Sequence, residues 1–145
     1  MGLEDSIHFA GFVPDAELPL YFQAADLFVL PTRSLEGFGL ITLEAFASGL
    51  PVVGTPVGAT PELLAQVDRR LILDSVGPEA IASGIVRYFT EVWAGVDPSP
   101  LRDLVMARYT WKHVVSATEQ VYRQALDRVS HEDKVAKGGP HVSHA

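Results

Sequence analysis

Apolar and polar positions along this chain follow two periods in turn. Ser6–Val13 (SIHFAGFV), Leu27–Pro31 (LFVLP), Pro51–Gly54 (PVVG) and Leu71–Asp74 (LILD) are short apolar runs that predict strands. Leu27–Pro31 shows no alternation, as expected of a strand buried on both faces. Between these runs the apolar spacing lengthens to three or four. Leu18, Phe22 and Ala25 share one face of a segment that Asp15 would cap, with Pro19 in its first turn. Leu40, Leu43, Phe46 and Ala47 predict a helix over Leu40–Ser48, closed by Gly49. Thr60-Pro-Glu opens a helix to Val67 as N-cap, N1 proline and first-turn acid. Ile81, Ile85, Tyr88 and Val92 predict a longer helix over Pro78–Trp93. After the break at Asp97-Pro-Ser-Pro, one helix runs through Tyr109 and a last one from Trp111 to about Val129. Ser130–Ala145 is polar, contains Gly138-Gly139-Pro140, and is expected to be a disordered tail.

Strands that alternate with helices build right-handed βαβ units. The expected fold is therefore α/β and Rossmann-like, a parallel sheet with helices on both faces, over residues 1–129. Ligands of such sheets bind outside the carboxyl ends of the strands. The loop Thr32–Gly39 lies at such an end.

Composition narrows the functions this fold could carry. With 145 residues the chain suits one domain, and 48% hydrophobic with 20% charged is a globular composition. The absence of cysteine excludes disulfides, thiolate nucleophiles and Cys-type zinc sites. A net charge of −7 argues against nucleic-acid binding. Met1–Val13 does not read as a signal peptide, and the longest charge-free run, Ala45–Pro61, is too broken to span a bilayer. A cytoplasmic protein is expected, with peripheral membrane association left open. The charge is uneven: Met1–Glu62 holds eight acidic residues against one basic residue, Arg33. The remaining residues balance at ten of each sign, so the whole net charge surrounds the loop at Thr32–Gly39.

That loop carries the candidate chemistry. Gly37 and Gly39 allow close backbone approach, and the amides that open the following helix make an anion site suited to a phosphate. No Gly-Lys-Ser/Thr follows, and Thr42 stands where a third dinucleotide-fold glycine would be. Glu36 and Glu44 flank the phosphate site. A glycosidase pair must lie within ~9.5 Å, whereas eight fully helical residues span roughly 12 Å. The loop portion could shorten that span, so hydrolysis stays open. Carboxylates also accept hydroxyls, as the acid that holds a ribose does. Two of them around a phosphate site suit a nucleotide sugar. Both can equally be solvated surface acids.

The string Glu36-Gly-Phe-Gly-Leu-Ile-Thr-Leu-Glu44-Ala-Phe-Ala-Ser-Gly-Leu-Pro-Val-Val resembles the signature of the retaining family 4 glycosyltransferases of the GT-B fold. Ala25-Asp-Leu-Phe-Val-Leu-Pro-Thr-Arg33, Gly54-Thr-Pro-Val-Gly-Ala-Thr-Pro-Glu-Leu-Leu64, Gly11-Phe-Val-Pro-Asp and Tyr109-Thr-Trp111 continue it, from about His8 to Tyr122. The resemblance implies the C-terminal donor-binding domain of such an enzyme, incomplete on its N-terminal side. It implies transfer of a sugar from a nucleotide-sugar donor to an acceptor hydroxyl with retention. Glu36 becomes the candidate catalytic residue, contacting donor-sugar hydroxyls. Gly37, Phe38 and Gly39 would line the sugar, the Leu40 and Ile41 amides would meet the diphosphate, and Glu44 would hold the ribose. Arg33 is a candidate diphosphate contact. No Asp-x-Asp occurs, and no metal or other cofactor is implied.

The partners expected are the nucleotide sugar and a missing N-terminal acceptor domain or partner subunit. Self-association is also expected, given a mean hydropathy of +0.18. The acidic surroundings of the diphosphate site lead us to expect an isolated chain without activity. A non-catalytic nucleotide-sugar-binding or assembly module and an unrelated flavodoxin-like regulator are the alternatives. Other residues carry less. His8 and His113 are isolated, and His131, His141 and His144 lack ligand spacing. Trp93, Trp111 and Tyr122 are expected to pack in the core or between domains rather than to serve as sugar platforms, and Asp26 to satisfy nearby backbone.

Overall fold

A computed structural model describes residues 2–92 and 99–137. The chain divides into two units, residues 1–106 and 107–145. The first unit is built on two parallel strands, β1 (Phe28–Leu30) and β2 (Val52–Gly54). Their register pairs Phe28 with Val52, Val29 with Val53 and Leu30 with Gly54. On the far side of β2, Ile72 forms a single parallel bridge with Gly54, and the Leu73 N–H donates to the Gly54 carbonyl at 2.8 Å. The predicted strand at Leu71–Asp74 is thus reduced to one bridge. Leu71 belongs to a 3₁₀ turn over Arg69–Leu71 that takes up the residues before it.

Helix α1 (Leu18–Ala24) precedes β1, and α2 (Leu40–Ala47) links the two strands. Helix α3 (Thr60–Ala65) follows β2, and α4 (Pro78–Arg87) runs on into one π-helical turn over Tyr88–Val92. The expected α/β fold with a parallel sheet is therefore present. Trp93, the predicted last residue of the α4 segment, lies outside the described residues, as do Asp97 and Pro98. Ser99 and Pro100 open α5 (Ser99–Arg108).

The core gathers where α2, α3 and the strands meet. Phe46, Ala45, Val52 and Leu64 are wholly buried, with Leu43, Leu50, Leu63, Leu71 and Leu73 beside them. Burying a side chain of this size contributes about 1.5–3 kcal/mol. Phe22 of α1 meets Phe28 of β1 edge-on, with ring centroids 5.8 Å apart. The end of α2 is a Schellman motif around Gly49, whose φ is +83°. There the Gly49 N–H donates to the Phe46 carbonyl at 3.0 Å, and the Leu50 N–H to the Ala45 carbonyl at 2.9 Å. This C-cap is the one the pattern predicts.

Other predicted features are corrected by the structure. Ser6–Val13 is not a strand; Phe9 and Phe12 are about nine-tenths exposed, and a 3₁₀ turn occupies Glu4–Ser6. A strand requires a neighbour to complete its ladder, and among the described residues none lies beside this segment. Asp15 is not a cap. Residues Pro14–Glu17 form a turn closed by the Glu17 N–H on the Pro14 carbonyl at 2.8 Å, and α1 begins only at Leu18. Thr60 is likewise inside its helix, with Ala59 as the cap residue, so its hydroxyl makes no cap bond. Asp26 is exposed and, among the described residues, hydrogen-bonds no backbone group.

The second unit is dominated by α6 (Trp111–Lys137). Its end lies at Lys137, where the pattern placed it near Val129. No Gly or Pro interrupts residues 111–137, and the first breakers come at Gly138-Gly139-Pro140. Residues 138–145 lie outside the description. Among the described residues no helix is long and apolar enough to cross a membrane.

Two measurements test this packing. Phe46→Ala is expected to cost about 3–5 kcal/mol in urea unfolding, whereas Leu126→Ala, on a two-thirds-exposed position of α6, shifts stability by ~0.5 kcal/mol or less. Tyr88 is buried, and that burial, followed by the Asp26 charge, pushes its phenol up to about 12. Its contribution to stability is full below the unfolded value near ~10 and is lost as pH rises toward about 12. Alkaline difference spectroscopy should show this tyrosine ionising last, and Tyr88→Phe should remove that step.

Candidate functional site

The candidate site is made by two loops at the carboxyl ends of β1 and β2. Residues 31–39 connect β1 to α2, and residues 55–59 connect β2 to α3. Pairing of the strands brings the loops side by side, and Thr55 ties them together. Its N–H donates to the Leu30 carbonyl at 3.1 Å. Its hydroxyl is within reach of the same carbonyl at 3.4 Å and donates to the Thr32 carbonyl at 2.6 Å. Thr55 is wholly buried, so its bonds to Leu30 are shielded from water, while the bond to Thr32 is part-buried.

Glycines set the distance between the loops. A Cβ on Gly54 would stand 2.6 Å from Thr60 Cγ2, so α3 could not seat against β2 with any larger residue there. Gly58 has φ +56°, and a Cβ on it would collide with the Glu36 carbonyl and stand 2.8 Å from its carbon. The main chain of Glu36 therefore rests directly on Gly58. Alongside, the Ala59 N–H donates to the Gly37 carbonyl at 3.3 Å.

Glu36 is half-buried, and its Oε2 accepts a hydrogen bond from the Thr32 hydroxyl at 3.1 Å. Leu35, just before it, has φ +62° and is fully exposed. A leucine in this region costs roughly 1–2 kcal/mol. Gly39 is the N-cap of α2, with φ +80°, and no side chain caps the helix. The ladder starts with the Thr42 N–H on the Gly39 carbonyl at 3.0 Å, so the Leu40 and Ile41 amides precede it. Thr42, in the first turn, is wholly buried, and its Oγ1 has no hydrogen-bond partner. These two amides lie at the positive end of the helix dipole, ahead of the intrahelical ladder.

The structure thus brings Glu36, Gly37, Phe38, Gly39, Leu40 and Ile41 together at the head of α2. Phe38 is half-exposed, and Leu40 is 65% exposed on the surface. Glu44 lies further along α2 and is exposed. Arg33 is exposed in the same loop and joins no ion pair among the described residues. Gly37 differs from Gly39: a Cβ there would meet nothing, so the fold itself does not require glycine at that position. Among the described residues no three His, Asp or Glu side chains gather as a metal cluster. Thr32, Thr55 and Gly58 escape a reading of periodicity. The signal that points to the last of them is the glycine pair Gly54 and Gly58 just after an apolar run.

Known proteins can be set beside this geometry. A family model described as "Glycosyl transferases group 1" matches residues 1–91. The D-inositol 3-phosphate glycosyltransferase of Corynebacterium glutamicum is 36% identical over 131 residues, covering 87% of this chain and 30% of that protein. The O-antigen chain mannosyltransferase B of Escherichia coli is 34% identical over 122 residues, covering 83% of this chain and 31% of that protein. The solved structure of sucrose-phosphate synthase from Thermosynechococcus elongatus superposes with a TM-score of 0.71 at 30% identity, over 87% of this chain and 32% of that one. The chain therefore spans about three-tenths of the length of these relatives.

The loop contact predicts a contrast between glycines. Gly58→Ala is expected to cost about 1–3 kcal/mol, because both its φ and the Glu36 carbonyl oppose a side chain. Gly37→Ala is expected to leave the urea midpoint unchanged.

Proposed function

We propose that this chain, which belongs to the group 1 glycosyl transferases, supplies the donor-binding portion of an enzyme that moves a sugar from a nucleoside diphosphate to an acceptor hydroxyl. The observation that carries this reading is the head of α2. A left-handed glycine opens the helix, two amides lie ahead of its ladder, and a half-buried glutamate stands three residues upstream.

The roles follow from chemistry. The diphosphate takes the Leu40 and Ile41 amides, where the helix dipole favours negative charge. Arg33 supplies a cation from the preceding loop. Glu36 accepts hydroxyls of the donor sugar, and the main chain at Gly37, Phe38 and Gly39 lines that sugar. Glu44 accepts the ribose hydroxyls, as carboxylates do in dinucleotide folds. As the sugar–phosphate bond breaks, charge develops on the leaving diphosphate, and preorganised amides stabilise it where it forms. Retention of configuration, as in family 4, is part of this reading and rests on the sequence likeness around Glu36 and Glu44.

The chain's own charge limits what it does alone. Eight acidic residues and one arginine in Met1–Glu62 oppose a dianionic group. A helix terminus contributes only about 0.3–2 kcal/mol against them. Further cations and the acceptor site belong to the rest of the enzyme or to a partner subunit. The exposed Phe9, Phe12 and Leu20 are surface such a partner could cover. A cytoplasmic location is the reading that the composition supports.

Calorimetric titration of an intact enzyme that carries this donor portion with UDP-, GDP- and ADP-linked hexoses tests the assignment. Glu44→Ala is expected to weaken the preferred donor about tenfold, the size of one hydrogen bond to a charged group. Equal affinity in the wild type and the variant would refute the ribose role. Binding that never leads to turnover, even with the acceptor portion supplied, would favour a non-catalytic binding module.

A further inference from the structure

Glu36 is constrained at both ends. Its main chain lies against Gly58, where no Cβ fits. At the other end, its Oε2 accepts from the Thr32 hydroxyl at 3.1 Å. Thr32 is itself anchored, because its carbonyl accepts the Thr55 hydroxyl at 2.6 Å. Thr55 in turn is buried and bonded to the end of β1 through its N–H. The left-handed turn at Leu35 lies between Thr32 and Glu36, within the four-residue span that their bond closes. Position therefore passes from the sheet to Thr55, from Thr55 to Thr32, and from Thr32 to the carboxylate.

An ionised carboxylate offers about four lone-pair sites on its two oxygens. Thr32 occupies one on Oε2. Oε1 has no donor among the described residues and stays available to a ligand hydroxyl. A free glutamate gives up its rotamers when it binds, whereas one already held has given them up on folding. We infer that Thr32 is a positioning residue for Glu36, fixing one carboxylate oxygen so that the other is presented to a hydroxyl of the donor sugar. This rests on the reading of Glu36 given under the proposed function.

Two measurements decide it, the first on this chain and the second on the intact enzyme that carries it. The first needs no ligand. Side-chain three-bond couplings in labelled protein should show one dominant Glu36 rotamer in the wild type and in Thr32→Ser, and averaging in Thr32→Val. Equal averaging in the wild type and Thr32→Val would overturn the inference. The second compares the nucleotide-linked hexose preferred in the titration with its parent nucleoside diphosphate. Thr32→Val is expected to weaken the hexose-linked donor by about tenfold and to leave the diphosphate unchanged, while Thr32→Ser keeps wild-type affinity for both. Equal weakening of both ligands would mean a general structural role and overturn the positioning role. Glu36→Ala separates this failure from failure of the underlying reading. If Glu36→Ala keeps the hexose preference, the donor-sugar role of Glu36 falls and the positioning role with it. If Glu36→Ala loses the preference and Thr32→Val does not, the positioning role alone falls.

Discussion

At the candidate site, the Glu36 carbonyl occupies the space where a residue 58 side chain would begin. That contact holds the loop after β1 against the loop after β2. It is possible only because β1 and β2 run parallel in adjacent register, which brings both carboxyl ends to the same edge of the sheet. Thr55 reinforces it from within, through a buried bond to Leu30 and a part-buried one to Thr32. The glutamate, the glycines and the head of α2 take their places from this pair of loops.

The same arrangement links stability to chemistry. Helix α2 is held by a buried face of Leu43, Ala45 and Phe46 and by the Schellman closure at Gly49. Its other end is left without a side-chain cap. A capping hydroxyl there would stabilise the helix by only a few tenths of a kcal/mol relative to glycine, and it would occupy amides that a phosphate could use. Leucine in a left-handed conformation at position 35 is a second local cost in the same loop. Both costs fall within five residues, around Glu36, and a well-packed helix offsets them.

Much of the fold is legible from residue pattern. The run at Val52–Gly54 is apolar without alternation because both faces of that strand are covered, whereas Phe28 and Val29 of the equally apolar first strand are only half-buried. Gly49 ends α2 because a left-handed residue must close a Schellman turn. Other elements misled for identifiable reasons. Ser6–Val13 has strand composition, yet a strand exists only where a neighbour pairs with it. Asp15 and Thr60 are good capping types, but α1 is capped later, at Glu17, and α3 one residue earlier, at Ala59. Capping depends on backbone dihedrals that residue type only biases.

From the sequence alone, Glu36, Gly39, the opening of α2 and Glu44 stand out as candidates, through glycine spacing and the family-like string that holds them; the structure brings the first three together and leaves Glu44 exposed further along α2. The sequence also shows that the acidic charge lies around them. Only the tertiary structure decided that Gly58 must be glycine, that Gly37 need not be, and that Thr55 and Thr32 tie the loop to the sheet. Those facts join residues more than twenty positions apart, as Thr32 and Thr55 are. Steric exclusion and hydrogen bonding act through space, and strand pairing determines which distant residues meet.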